Sequence, residues 1–144
     1  MFLRFILPFV SLVLAACDKD NDEPKSPTTL LTQKTWILKS VGVDDNNNNI
    51  IDAEEEMIRD CDADNRYSFY VNGWGLFEEA ELDCGTGIDE LPFTWKFKDG
   101  TSHIEFNVNT FKILRLTENE LVLNHFLDLG NGHKLPFITS FGHW

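Results

Sequence analysis

The stretch PFTWKFKDGTSHIEFNV, residues 92–108, decides the fold class of this chain. Apolar and polar residues alternate on both sides of Asp99-Gly100, and a period of two is typical of half-buried β-strands. Asp-Gly favours the tight turn of a β-hairpin, because its positions tolerate positive φ. The stretch therefore predicts two antiparallel strands, each with one face toward a core.

The same pattern continues outward in both directions and gives eight predicted strands. They are residues 35–43, 66–72, 75–83, 92–98, 102–108, 110–117, 120–128 and 134–141. Short strands separated by turns such as Asn72-Gly73 are typical of an all-β sandwich or barrel. Because the turns leave little room for Greek-key crossings, we expect an eight-stranded antiparallel up-and-down barrel. One short helix is predicted after the first strand, at residues 52–60, with Asp52 as N-cap.

The N-terminus carries a second clear pattern, which ends at Cys17. Arg4, an apolar run over residues 5–14 and two alanines precede this cysteine. A charged start, a short apolar region and small residues are the parts of an export signal. With Cys17 next, the pattern resembles a bacterial lipoprotein signal; the alternative is an ordinary secretory signal with a cysteine nearby by chance.

That resemblance implies cleavage after residue 16, lipidation of Cys17 and a lipid anchor in the cell envelope. We expect the outer membrane, on either its periplasmic or its surface-exposed leaflet. Residues 17–29 are predicted to form an acidic flexible tether. The barrel domain is predicted to span residues 30–144.

The composition argues against several kinds of partner. Twelve basic residues face 24 acidic ones, for a net charge of −12. Nucleic-acid binding depends on clustered Lys and Arg, so no nucleic-acid partner is expected. The same acidity disfavours a protein that lies flat on anionic lipid.

Two cysteines follow Cys17, namely Cys61 and Cys84. An exported chain folds in an oxidising compartment, where an even pair most simply forms a disulfide. The alternative is a metal-binding or catalytic thiol. Neither cysteine lies in a CxxC motif or beside a histidine, which favours the disulfide.

Several segments together resemble the lipocalin-like lipoproteins of Bacteroidetes. The matching segments are LTQKTWILKS (31–40), CDADNRYSF (61–69) and LRLTENEL (114–121), with Trp95 and Cys84. The resemblance implies a lipocalin-type barrel and an envelope location, but no reaction, because the family lacks one shared activity. Residues 72–75, NGWG, stand where the family usually has a short Asp-Gly turn, which leaves the register of that hairpin open.

Residues 44–55, DDNNNNIIDAEE, match the spacing of an EF-hand calcium loop. The predicted Ca²⁺ ligands are Asp44, Asn46, Asn48, Ile50 through its carbonyl, Asp52 and Glu55. Asn49 replaces the usual glycine at the sixth position, and Asn tolerates the left-handed conformation better than most residues. A strand precedes the loop, so the prediction is a strand–loop–helix variant with affinity on the order of 10⁻⁴ M. The alternative is an Asn-rich solvated turn.

Catalysis finds little support in the sequence, and we expect the protein not to be an enzyme. The four histidines are scattered without an HExxH spacing, and GxSxG is missing. The aromatic load suggests binding instead. Six alternating residues are predicted to face the barrel interior as candidate cavity residues: Phe93, Trp95, Phe97, Ile104, Phe106 and Leu123.

These residues either line a cavity for a small apolar ligand or fill the barrel completely. The first case predicts a ligand-binding envelope lipoprotein. The second predicts a structural or accessory envelope protein that binds a protein partner. An enzyme without a recognisable motif is the third and weakest hypothesis.

Overall fold

The computed structural model describes residues 23–144 apart from residue 131, and Cys17 and the predicted signal lie outside the described residues. The described strands form one closed antiparallel barrel in which each strand pairs with the next and the eighth pairs with the first. The predicted up-and-down barrel is therefore confirmed. The strands are β1 (Trp36–Val43), β2 (Arg66–Phe69), β3 (Trp74–Glu78), β4 (Glu90–Lys98), β5 (His103–Phe106), β6 (Asn109–Leu116), β7 (Leu121–Asp128) and β8 (Lys134–Gly142).

The α-helix lies before the first strand, not after it. Helix α1 spans Pro27–Thr32, whereas residues 53–55 form a turn and Glu56 makes an isolated bridge to Gly42. The helix predicted at residues 52–60 is therefore wrong, although a 3₁₀ turn follows at Asp60–Asp62. The acidic side chains expected to stabilise a helix bind backbone N–H groups instead. The Glu56 carboxylate accepts hydrogen bonds from the N–H groups of Val41, on β1, and Ile58.

Helix α1 closes one end of the barrel. The Ser26 hydroxyl accepts a hydrogen bond from the Thr29 N–H at 3.1 Å, and Pro27 follows it, which is a favourable helix start. Leu31 is fully buried in the core, and its carbonyl accepts a hydrogen bond from the Trp36 ring N–H at 2.8 Å. Residues 27–29 are thus helical and do not belong to a flexible tether, although the tether was predicted to run to residue 29.

Within the described part of the chain, no helix has the length and apolar character needed to cross a membrane. Helix α1 itself has six residues. It packs against β2 and β6 at the end of the barrel where β1 begins. We refer to this as the closed end; the turn between β7 and β8 lies at the opposite end.

The alternation predicted around residues 92–108 is confirmed by the register. Trp95 lies opposite Phe106, and Phe97 lies opposite Ile104. The register of the β2–β3 hairpin, which the sequence left open, places Phe69 opposite Gly75. The glycine has a packing reason, because a Cβ at position 75 would overlap the Phe93 ring.

The predicted disulfide between Cys61 and Cys84 is also confirmed. It joins the long connection after β1 to the connection between β3 and β4. A second contact supports the same junction: one Asp64 carboxylate oxygen accepts hydrogen bonds from the N–H groups of Glu81 and Leu82 at 2.9 and 3.1 Å. The two connections are therefore tied covalently and by hydrogen bonds.

Candidate functional site

The interior of the barrel contains a partly open cavity of about 210 Å³ whose walls are almost entirely apolar. Each strand presents alternate side chains to the interior, which is how residues far apart in sequence meet here. The lining residues are Tyr67, Phe69, Phe93, Phe106, Phe111, Leu123, Thr139 and Phe141. Among these residues, only Tyr67 and Thr139 carry polar side-chain atoms.

Three of the six predicted cavity residues line this space, namely Phe93, Phe106 and Leu123. The other three do not. Ile104 is fully buried in the solid part of the core, and Phe97 packs against it. The Trp95 ring N–H donates to the carbonyls of Tyr70 and Trp74, which fixes this ring beside the β2–β3 turn.

The aromatic walls hold one another in edge-to-face contacts. The Phe69 ring centroid lies 5.3 Å from that of Phe93, and the Phe93 ring centroid lies 5.9 Å from that of Phe106. Such pairs stabilise particular ring orientations in addition to burying apolar area, because the edge of one ring is attracted to the face of another. The cavity is thus bounded by rings in fixed positions. Five lining residues were not predicted: Tyr67, Phe69, Phe111, Thr139 and Phe141.

Besides Thr139, two polar groups lie at or near the apolar space: Tyr67 within its lining, and His125 beside the lining ring of Phe111. Burial raises the pKa of Tyr67 to about 12, and the nearby Asp62 carboxylate adds to this effect. The phenol is therefore neutral at pH 7 and can donate a hydrogen bond. The second group is the imidazole of His125, which follows Leu123 on the inner face of β7.

The His125 ring lies between two phenyl rings, 4.9 Å from that of Phe111 and 5.1 Å from that of Phe137. Its Nδ1 is buried and has no hydrogen-bond partner among the described residues. Burial also lowers the pKa of His125, so the ring is neutral near pH 7. A neutral imidazole next to an apolar cavity offers one hydrogen-bonding point without a charge.

The predicted calcium loop has the expected backbone winding. The Asp44 side chain is 1% exposed, and its two oxygens accept hydrogen bonds from the N–H groups of Asn48 and Asn49 at 3.0 and 2.9 Å. Asn47 and Asn49 adopt φ angles of 59° and 62°. The sixth position therefore has the left-handed conformation for which a glycine is usual.

The carboxylates of the loop are held by the protein itself. Glu55 accepts hydrogen bonds from the N–H groups of Asp45 and Asp52, and the Asn46 amide donates to Asp52 at 2.8 Å. Among the residues the structure describes, the one group of three His, Cys, Asp or Glu ligand atoms that come together is Cys61, Asp62 and Cys84, and both of its sulfurs are in the disulfide. In this conformation the loop is held by hydrogen bonds between its own residues.

The loop is seated on the outside of the barrel. Its Asp44 N–H donates to the carbonyl of Pro136 on β8 at 3.0 Å. Gly42, at the end of β1, is buried beneath the Glu55 backbone, and a Cβ at this position would overlap the Glu55 carbonyl oxygen. The loop therefore depends on a glycine that the sequence alone did not single out.

A serine, a histidine and an aspartate meet in the turn between β4 and β5. The Ser102 hydroxyl lies 2.8 Å from Nδ1 of His103, and an Asp99 carboxylate oxygen lies 3.3 Å from the same Nδ1. A catalytic triad uses the two ring nitrogens for the two partners. Because both contacts here use one nitrogen, this arrangement does not form a relay.

Comparison with known proteins does not assign this chain to a family. No protein-family model matches the chain, and no curated protein matches it.

Proposed function

We propose that the chain is a membrane-anchored lipoprotein of the cell envelope whose lipocalin-like barrel binds a small apolar ligand. The single observation that supports ligand binding is the cavity of about 210 Å³ with apolar walls. The anchor depends on the sequence around Cys17 alone, and the location we propose is the outer membrane, on its periplasmic or its surface-exposed leaflet. The protein would act by binding, without catalysis.

The walls define the class of ligand. An apolar cavity offers water few hydrogen-bond partners, so an apolar molecule gains by replacing that water. The volume lies below the range of about 300–1,000 Å³ for drug-sized ligands, which favours a molecule of one or two rings or a short chain. The Tyr67 hydroxyl and Thr139 give this molecule two points at which to orient a polar group.

The proposal is tested by filling the cavity. Thr139→Phe places a ring in the apolar space, and we expect binding of the neutral two-ring fluorescent probe 1-aminonaphthalene to fall at least tenfold. The matched control is Thr110→Phe, which adds the same ring at an exposed position of β6. Equal probe binding by both variants, each folded by circular dichroism, would place the ligand elsewhere. Native mass spectrometry of protein purified from its own membrane would then identify the natural ligand.

The alternative is a structural or accessory envelope protein whose barrel is solid and whose surface binds a protein partner. Exposed apolar side chains, including Leu91 at 50% and Leu129 at 60%, are the surface such a partner would use. The cavity favours ligand binding over this alternative.

We propose in addition that residues 44–55 bind Ca²⁺. The winding around Asp44 and the left-handed Asn49 support this function. The oxygens that would hold the ion are those of the six predicted ligands. Glu55 and Asp52 would have to exchange their present N–H partners for the ion, which is consistent with weak binding.

Calorimetric titration of the full chain with calcium chloride tests the loop. We expect a dissociation constant on the order of 10⁻⁴ M and at least a tenfold loss in Glu55→Gln. Glu81→Gln, which removes the charge of an exposed carboxylate outside the loop, should bind as the parent does. The absence of heat at millimolar calcium, or equal loss in both variants, would contradict the proposal.

A further inference from the structure

We propose that the outer wall of the barrel carries a second binding site, which takes a neutral sugar and is organised around Asn124. The site is a pocket of about 140 Å³ between the loop at residues 44–55 and the outer faces of β6, β7 and β8. We call it the outer-wall pocket. Its lining residues are Asp44, Asn47, Asn49, Lys112, Leu114, Asn124, Phe126 and Pro136.

Asn124 is the observation that points to a ligand. Its side chain is 6% exposed, lines the pocket and makes no protein hydrogen bond within the described residues. Its amide is not among the fully enclosed unpaired groups of the described residues, so the amide is open to the pocket, where water or a ligand can pair it. An amide carries both donors and an acceptor, so a hydroxyl group in the pocket would satisfy it in either direction.

The register sets polar and apolar groups side by side. Lys112 on β6 lies opposite Asn124 on β7, and Phe126 lies opposite Pro136 on β8. Asn124 and Phe126 are two positions apart and share the outer face of β7. The Phe126 ring is 59% exposed and is therefore open to contact. A sugar ring has the matching character, with C–H groups on its faces and hydroxyls around its edge.

The loop supplies the opposite wall with further amides. Asn47 and Asn49 both line the pocket, and both are held in left-handed conformations by a turn that the buried Asp44 carboxylate stabilises. Three asparagines thus line one small volume. Each can donate to one hydroxyl and accept from another, which is the requirement of a polyhydroxy ligand.

Other ligand classes fit this pocket less well. An anion would find one cation, Lys112, beside the Asp44 carboxylate in a chain of net charge −12. A metal ion would find one carboxylate, and both of its oxygens already accept N–H hydrogen bonds. An apolar molecule would leave the Asn124 amide without a hydrogen-bond partner.

Nuclear magnetic resonance of the ¹⁵N-labelled full chain tests the inference directly. The probes are glucose, galactose, mannose and N-acetylglucosamine, each titrated into the millimolar range. We expect the side-chain NH₂ signal of Asn124 to shift in a saturable manner with at least one of them. If none of the four shifts this signal, or if inorganic phosphate shifts it and the sugars do not, the inference is wrong.

Two variants separate binding from folding. Asn124→Leu removes an amide that makes no hydrogen bond to the described residues, so we expect the midpoint of thermal unfolding to change little while the sugar response falls at least tenfold. Asn119→Leu changes an exposed asparagine in the β6–β7 turn and should keep the response. A sugar response that persists in Asn124→Leu overturns the proposal. The cavity variant Thr139→Phe should respond normally, since this site does not depend on the barrel interior.

Discussion

Replacing Trp36 with alanine is expected to lower the free energy of unfolding by about 3–5 kcal/mol. The Trp36 side chain is fully buried at the start of β1, and its ring lies 4.3 Å from the His143 ring. The truncation leaves a large cavity and also removes the hydrogen bond to the Leu31 carbonyl. Helix α1 would thereby lose one of its attachments to the barrel, while Leu31 would still be in the core. Urea unfolding followed by circular dichroism measures the change.

Two matched variants separate the contributions to this effect. Trp36→Phe keeps an aromatic ring but loses the N–H donor, so an intermediate loss is expected. Trp144→Ala truncates a tryptophan that is 82% exposed and should change stability by less than about 0.5 kcal/mol. If Trp36→Ala were as mild as Trp144→Ala, the closed end would not be held by this residue.

Removing the disulfide is expected to cost about 3 kcal/mol, because it closes a loop with a sequence separation of 23 residues. The double variant Cys61→Ser/Cys84→Ser should show this loss in urea. The barrel should remain folded, because the strands on either side are paired independently and Asp64 still joins the two connections.

The control for this variant is a reducing agent. Reduction should bring the parent chain to the stability of the double variant and should leave the double variant unchanged. A parent chain that is insensitive to reductant, with the bond shown to be broken by mass spectrometry, would contradict the expected contribution.

The strands were predictable because their signal is local. Around Phe93, Trp95 and Ile104 the alternation of apolar and polar residues fixes which side chains point inward, and the structure agrees. Strand ends were less predictable. The second strand was expected to run to residue 72 but ends at Phe69, where the turn to Gly73 begins.

The cavity was predictable in kind and only partly in membership. Alternation gives the inward face but not the height of a residue along the barrel axis, which depends on the tilt and register of all eight strands. Phe97 and Phe106 therefore looked equivalent in sequence, yet only Phe106 lines the cavity. Thr139 was missed for another reason, since a polar side chain on the inner face resembles a solvent-facing one.

The failures around the loop have one physical cause. The acids at residues 54–56 suggested a helix start, but Glu55 and Glu56 instead bind backbone N–H groups of residues distant in the chain. Asn124 was not singled out in the sequence and is buried because the loop folds over β7. Helix α1 was not predicted either, and its stability depends on Leu31 reaching the core.

Asn49 has a consequence for how the protein would respond to its surroundings. It is the sixth residue of the proposed calcium loop and also a wall of the outer-wall pocket. Occupants of the two sites would therefore be thermodynamically linked. Whatever factor calcium applies to the affinity for a sugar, the sugar must apply to the affinity for calcium. Because of this one asparagine, occupancy of the outer-wall pocket would depend on the concentrations of both the sugar and calcium.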